Sequence, residues 1–262
     1  MTESRESEGC FDRRQTELII SVKGLPVLSI CRVINQPAFS LHYSPPGASC
    51  KLIIAAHCWL RNKSVPLHKA MNRMLIPMTS EKEKCRQGKL YDANNDAELI
   101  AERLACKQLC HEYNNLPPAD EQHRKDIIIR LCGKTGANFL IEQPFFCDYG
   151  YNIEIGENFF ANVNCVILDA AKVTFGDNVF VAPNCGFYTA GHPFDVGQRN
   201  RGLEYAYPIT IGNNVWIGAQ VCVLPGVSIG NNCVIGAGSV VNKDIPDGSL
   251  AAGNPCRVIR KL

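Results

Sequence analysis

From Ile211 onward an aliphatic side chain recurs at every sixth position: Ile211, Ile217, Val223, Ile229, Ile235 and Val241. Gly212, Gly218, Gly230 and Gly236 directly follow four of them, and Val215, Val221, Val227, Cys233 and Ser239 stand four positions on. An earlier block keeps the same beat through Ile155, Ala161 and Ile167, and then through Phe175, Val181 and Phe187. A period of six fits neither a helix nor a simple alternating strand. It predicts a mainly β fold, the hexapeptide form of a parallel β-helix. Each hexad makes one short flat side, and three sides close a triangular coil of roughly eighteen residues. The aliphatic residue points inward and stacks on its equivalent one coil away, about 4.8 Å along the axis. The glycine after it is expected at the corner, where backbone angles costly for other residues are needed. Cys165, Cys185 and Cys233 fall in the small inward slot and read as core packing.

The text before the repeat divides in two. Between Met78 and residue 134, Leu99, Ile100, Leu104, Leu109 and Cys110 approximate a helical stripe, with Asp96 placed to cap its start. A further helix is expected through "DEQHRKDIIIRLCG", ending at Gly133. This helical unit, about 79–134, is too small to stand alone and is expected to pack on the coil that follows. Residues 1–77 show no sustained period. Their strand-like fragment "LIISVKGLPVLSI" is interrupted by Lys23, Gly24 and Pro26, and no fold or chemistry is legible there.

Composition narrows the function classes. A net charge of +2 over 262 residues argues against sequence-independent nucleic-acid binding, which needs a strongly basic face. The start "MTESRESEGC" is acidic and polar, unlike a secretory leader, and the longest apolar runs are too short to span a bilayer. The 14 cysteines show no compact disulfide framework and no CxxC pair that suggests zinc. A soluble, cytoplasmic protein with reduced cysteines and no metal is the expectation.

Within the repeat, one interruption stands out. The stretch "FYTAGHPF" (187–194) holds the only histidine of the chain's second half, His192, and the six-residue rhythm then lapses over about 193–208. An imidazole titrates near neutral pH and suits a general base, and a surface histidine orienting a loop is the alternative.

The hexads, together with "KCRQGKLYDANND", "CDYGYNI", "NFFANVN", "GHP", "PITIGNNVWIGA", "PGVSIG", "VIGAGSVV", "KDIP" and "AGNPCRVI", closely resemble the sugar O-acetyltransferases of the maltose, galactoside and nodulation group. The resemblance covers 78–262. It implies a left-handed parallel β-helix, assembly as a homotrimer with active sites between subunits, and acetyl-CoA as co-substrate. It also implies that His192 takes the proton from a sugar hydroxyl, that Glu204 orients His192, and that the lapse after His192 is a loop walling the site. Asp148, Asn162 and Asp92 match positions that contact the acceptor. Ala219, Ala237, Asn242, Lys243, Arg257 and Arg260 fall on acetyl-CoA positions, with Asn242 replacing a threonine of some relatives. Ala170 stands where one branch carries an aspartate, a departure that weakens any galactoside assignment.

Two other functions remain to be weighed against the acetyltransferase. A catalytically silent trimeric scaffold would lack the histidine or the cofactor cations, and neither is missing. Acetylation of a non-sugar hydroxyl, such as that of an antibiotic or a serine, stays open. A zinc carbonic anhydrase on this kind of coil needs three histidines. His111 and His123 lie in the predicted helical unit, so His192 is alone on the coil.

Overall fold

The computed structural model describes Thr79–Leu262 in full and, before it, only the backbone of Glu17–Leu18, Cys31–Arg32, Phe39–Tyr43 and Cys50–Ile54. The chain forms two units, Met1–Met78 and Thr79–Leu262. In the first, Glu17–Leu18 pairs antiparallel with Cys31–Arg32, and Phe39–Tyr43 with Cys50–Ile54. Those strands apart, the reading of residues 1–77 lies outside the described residues.

In the second unit the six-residue period winds the chain into a parallel β-helix. One face stacks Phe139–Ile141, Phe159–Ala161, Phe180–Val181, Trp216–Ile217, Val234–Ile235 and Ser249–Ala252, in that order. A second stacks Phe145–Cys147, Cys165–Leu168, Gly186–Tyr188, Cys222–Val223 and Val240–Val241. A third stacks Ile153–Ile155, Val173–Phe175, Ile209–Ile211 and Ser228–Ile229. The chain visits the three in turn, so residues paired across neighbouring strands are one coil apart. The expected inward residues are buried, including Cys165, Cys185 and Cys233. Phe159, Phe175 and Phe187 stack inside the prism with ring centroids 5.0 and 4.9 Å apart.

The four glycines after the aliphatics are needed for a different reason from the one the period suggested. Gly212, Gly218, Gly230 and Gly236 have no left-handed backbone. What excludes a side chain is the next coil: a Cβ on Gly212 would lie 2.8 Å from the Asn231 nitrogen, and one on Gly218 2.6 Å from the Ala237 nitrogen. The left-handed angle falls two residues later, on Asn214, Gln220, Asn232 and Gly238, and in the earlier coils on Asn158, Asn164, Asn178 and Asn184. Asparagine tolerates that conformation. At the corner between the third and first faces it also stacks its amides, Asn158 on Asn178, Asn178 on Asn214 and Asn214 on Asn232, at 3.0–3.2 Å.

Among the described residues three helices precede the coil: α1 (Glu81–Arg86), α2 (Ala97–Asn115) and α3 (Glu121–Leu131). Asp96 caps α2 by accepting from the Leu99 N–H at 3.0 Å. The buried stripe of α2 is Leu99, Cys106, Cys110 and Tyr113, whereas Ile100 and Leu104 are exposed. Leu99 and Cys110 of the expected stripe are thus buried and Leu109 packs partly buried against the core, while Cys106 and Tyr113 take the places expected of Ile100 and Leu104. α3 stops at Leu131, because Cys132 turns extended as its C-cap (ψ 148°). The rhythm lapse is not irregular. It leaves the coil as Ala190–Gly191, forms a short helix α4 (Val196–Asn200), and returns along Leu203–Ala206, which pairs antiparallel with the outgoing strand. No helix among the described residues is long and apolar enough to cross a membrane.

Candidate active site

The excursion places its histidine beside the helical unit. Leu203–Ala206 pairs on one side with Ala190–Gly191 and on the other with Tyr91–Asp92, so that Gly191 lies opposite Tyr205 and Glu204 opposite Tyr91. This small antiparallel sheet brings His192, Glu204 and Asp92 to one corner of the prism, between its second and third faces. His192 is solvent-exposed. Its Nδ1 lies 3.1 Å from the Leu203 carbonyl oxygen. A carbonyl can only accept, so Nδ1 carries the proton and Nε2 presents its lone pair.

Glu204 is not the group that meets His192. Its Oε2 accepts a hydrogen bond from the Tyr91 hydroxyl at 3.1 Å, and no ion pair joins it to His192 among the described residues. Burial, followed by the charges of Cys85 and Glu204, pushes the Tyr91 phenol far above its ordinary range, which keeps it a donor to that carboxylate. The orienting contact expected from a carboxylate is thus made by the Leu203 carbonyl, one residue earlier.

Asp148 comes to the same corner from the end of the second face. Its loop is held by Asp169, which is fully buried. Asp169 Oδ1 accepts from the Asp148 and Tyr149 N–H groups at 3.0 and 2.8 Å, and Oδ2 from the Asn152 N–H at 3.3 Å. The Asn152 amide donates to the Asp169 carbonyl at 2.7 Å. Arg103 of α2 closes the other side, donating to the Tyr149 hydroxyl at 2.7 Å and to the Ala93 carbonyl at 2.6 Å. The Asp148 carboxylate itself makes no hydrogen bond to a described residue. Burial raises its carboxyl above the ordinary range, with the Glu204 charge adding to the rise and Arg103 and Lys107 opposing it. Asp92 differs: its carboxylate is already engaged by the Asn94 and Asn95 N–H groups (3.2 and 3.0 Å) and by the Asn95 amide.

The remaining predicted residues do not join this group within one chain. Asn162, Ala219 and Ala237 occupy the corner on the far edge of the second face, between it and the first. The Ala219 carbonyl accepts from the Gly238 N–H at 2.8 Å, so the two alanine turns lie directly over one another. Asn162 lines a shallow groove with Phe160, Phe180, Ala182 and Trp216. Asn242 and Lys243 follow the last strand of the second face, on the His192 corner and exposed. Arg257 reaches Asn242 Oδ1 at 3.4 Å, and Arg260 lies opposite Leu250 on the edge of the first face. Tyr91, Arg103, Asp169 and the Leu203 carbonyl escaped the sequence analysis. Only Asp169 offered a signal there, as a lone acid between an inward aliphatic and the Ala170–Ala171 pair.

Two known families match this chain: the maltose acetyltransferase hexapeptide capping motif over residues 84–136, and the bacterial transferase hexapeptide repeat over 208–243. A Saccharomyces cerevisiae protein named as an acetyltransferase is 61% identical over 175 residues, which are 67% of this chain and 89% of that one. The galactoside O-acetyltransferase of Escherichia coli is 47% identical over 189 residues, 72% of this chain and 91% of the relative. Among solved structures, a maltose O-acetyltransferase from Clostridium difficile superposes with a TM-score of 0.69 at 53% identity, covering 70% of this chain and 97% of that one. A hexapeptide-repeat acetyltransferase from Vibrio cholerae, complexed with acetyl coenzyme A, gives 0.65 at 39% identity, covering 70% and 98%.

Proposed function

Because the chain belongs to the hexapeptide-repeat acetyltransferases, the family of the maltose and galactoside O-acetyltransferases, we propose that it transfers the acetyl group of acetyl-CoA to a hydroxyl of a sugar, with His192 as general base. The observation that carries this reading is the contact between His192 Nδ1 and the Leu203 carbonyl. It leaves Nε2 to accept the hydroxyl proton while the acceptor oxygen attacks the thioester carbon. Nε2 then returns the proton to the departing thiolate, so the histidine ends neutral. Proton transfer of this kind contributes roughly 10²–10⁴-fold.

Asp148 is the acceptor ligand with the strongest support, since its loop is held on three N–H bonds while its own carboxylate stays available for sugar hydroxyls. Glu204, tied to Tyr91, stands at the same corner. Asp92 shapes its turn and reaches the acceptor only by sharing lone pairs that already accept. Asn162 supplies a polar side chain from the other corner.

That division between two corners supports a homotrimer. In register on the first face stand Leu140, Phe160, Phe180, Trp216, Val234 and Leu250, and Leu140, Phe180 and Trp216 are exposed. The third face instead presents Glu154, Thr174, Thr210 and Ser228 to solvent. A second copy laid on the apolar face would bring its own His192 corner to the Asn162, Ala219 and Ala237 turns. Phe194, 96% exposed at the tip of the excursion, has an apolar ring to cover in that contact. Acetyl-CoA would lie along the stacked alanine turns, which leave room for a narrow chain. Asn242, Lys243, Arg257 and Arg260 at the end of the coil supply hydrogen bonds and charge for its phosphates.

The test is an acceptor screen with acetyl-CoA, following loss of thioester absorbance. Thiol reagents are unsuited to a chain with 14 cysteines. Maltose, glucose and galactosides are compared with serine and aminoglycoside acceptors. Turnover of a sugar, abolished in His192→Ala, is the expected result. Turnover of only non-sugar acceptors, or none with any acceptor, rejects the proposal.

A further inference from the structure

Cys106 and Cys110 stand one turn apart on α2, so both side chains face the same way. They face Cys147, the last residue of the strand Phe145–Cys147. Cys147 Sγ lies 3.5 Å from Cys106 Sγ and 3.7 Å from Cys110 Sγ, and the three sulfurs all fall within 4.8 Å of one another. Each residue is 3–5% exposed. The other described cysteines join no such group.

We propose that Cys106, Cys110 and Cys147 form a three-coordinate thiolate site for a soft monovalent cation, Cu(I). A triangle with two sides of 3.5 and 3.7 Å and a third up to 4.8 Å has a centre about 2.1–2.4 Å from every corner. That matches a metal–thiolate bond of about 2.3 Å. Ligand softness and number select the ion. Thiolates favour Cu(I), zinc and iron–sulfur clusters, but structural zinc takes four ligands and the clusters take four cysteines. Among the described residues no fourth Cys, His, Asp or Glu donor belongs to the group. A ligating thiol exchanges its S–H bond for an S–Cu bond and releases the proton to water. Neither sulfur nor copper changes oxidation state, so no oxidant is needed, unlike a disulfide. Bound Cu(I) would tie α2 to the strand whose next residue is Asp148.

The test titrates the reduced full-length chain with Cu(I), without oxygen, against a chromogenic Cu(I) chelator. The chain has four further cysteines (10, 31, 50 and 58) whose side chains are not among those described, so the readout is a difference. Wild type should hold one equivalent more than Cys106→Ser, Cys110→Ser or Cys147→Ser. The affinity of that equivalent should fall at least a hundredfold, beyond the roughly 10–100-fold that changes outside the first ligand shell cause. Cys165→Ser, in the prism core, should keep it. X-ray absorption should count three sulfurs at about 2.3 Å around the copper lost in the variants. Each variant is checked for its fold by circular dichroism, and an alanine at the same position replaces a serine that fails. Equal copper counts in wild type and in any folded variant of the three overturn the proposal, as does a two-sulfur environment for the lost equivalent. Either result leaves the thiols as core packing.

Discussion

Replacing Asp169 with asparagine separates two forces that act on the loop carrying Asp148. The carboxylate has no exposed surface and accepts three backbone N–H bonds. Asparagine keeps Oδ1, and with it the bonds from Asp148 and Tyr149, but turns an NH₂ group toward the Asn152 N–H. A lost bond with a buried donor facing another donor costs about 1–3 kcal/mol. Against this, burial raises the Asp169 carboxyl from 3.8 to about 6, although the N–H groups of Tyr149 and Asp148 oppose the rise. A folded-state value above the unfolded one means that the folded chain holds a proton the unfolded chain has released. That stabilisation is complete below pH 3.8 and is lost as pH rises through about 6. The loss amounts to about 3 kcal/mol. Wild type should therefore lose it between about pH 4 and 7, and Asp169→Asn should not. The variant is expected to be less stable than wild type by about 1–3 kcal/mol near pH 4.5 and to draw level by pH 7. Urea denaturation of both chains across that range, followed by far-UV circular dichroism, measures the gap. Parallel curves would refute the reasoning and show that the N–H bonds outweigh burial. In the activity assay, the variant should raise the KM for the acceptor more than that for acetyl-CoA, since the residue it loosens is Asp148.

Three further outcomes are expected. His192→Ala should lower kcat by roughly 10²–10⁴-fold, and His192→Asn, which can still donate to the Leu203 carbonyl, should restore loop stability without restoring turnover; recovery of activity in the asparagine variant would remove the base role. Arg257→Ala with Lys243→Ala should weaken acetyl-CoA binding about ten- to a hundredfold and leave kcat nearly unchanged, a pattern checked by titration with coenzyme A; equal affinity would make these residues ordinary solvated cations. Phe180→Asp, in the middle of the apolar face, should yield monomers by analytical ultracentrifugation and lose activity together with assembly; an active monomer would show that one chain holds a complete site.

The two kinds of residue in the site were legible to very different degrees. His192 could be found because it interrupts a strict period, and a break in a repeat is visible without coordinates. The Leu203 carbonyl that orients it could not be found, because a backbone acceptor carries no sequence identity. Glu204 was legible as a carboxylate on the right strand, but its partner depends on side-chain direction. Neighbouring residues of a strand point to opposite faces, and the pairing of Glu204 with Tyr91 aims it at the Tyr91 hydroxyl. The stripe of α2 was legible at Leu99, Leu109 and Cys110 but not at Cys106, for a related reason. Cysteine and leucine both suit a core, and only docking against Phe145–Cys147 selects the side of the helix that is buried.

The sequence alone determined the coil. A period of six leaves one arrangement in which every aliphatic is buried, and hydrophobic burial summed over many turns is far larger than any local preference. It also determined where the coil is interrupted. The tertiary structure decided everything that depends on which corner a residue occupies. It gave the glycines after the aliphatics a steric role, set by the coil above, and handed most of the left-handed angles to asparagine. It brought His192, Glu204, Asp92 and Asp148 to one edge of a face and left Asn162, Ala219 and Ala237 on the other. It also gathered three cysteines, separated by up to 41 positions in the chain, into contact. The physical reason is common to all of these. A repeat specifies the spacing of side chains along one strand, but contacts between coils, and between the coil and its helices, arise only when separate segments close on one another.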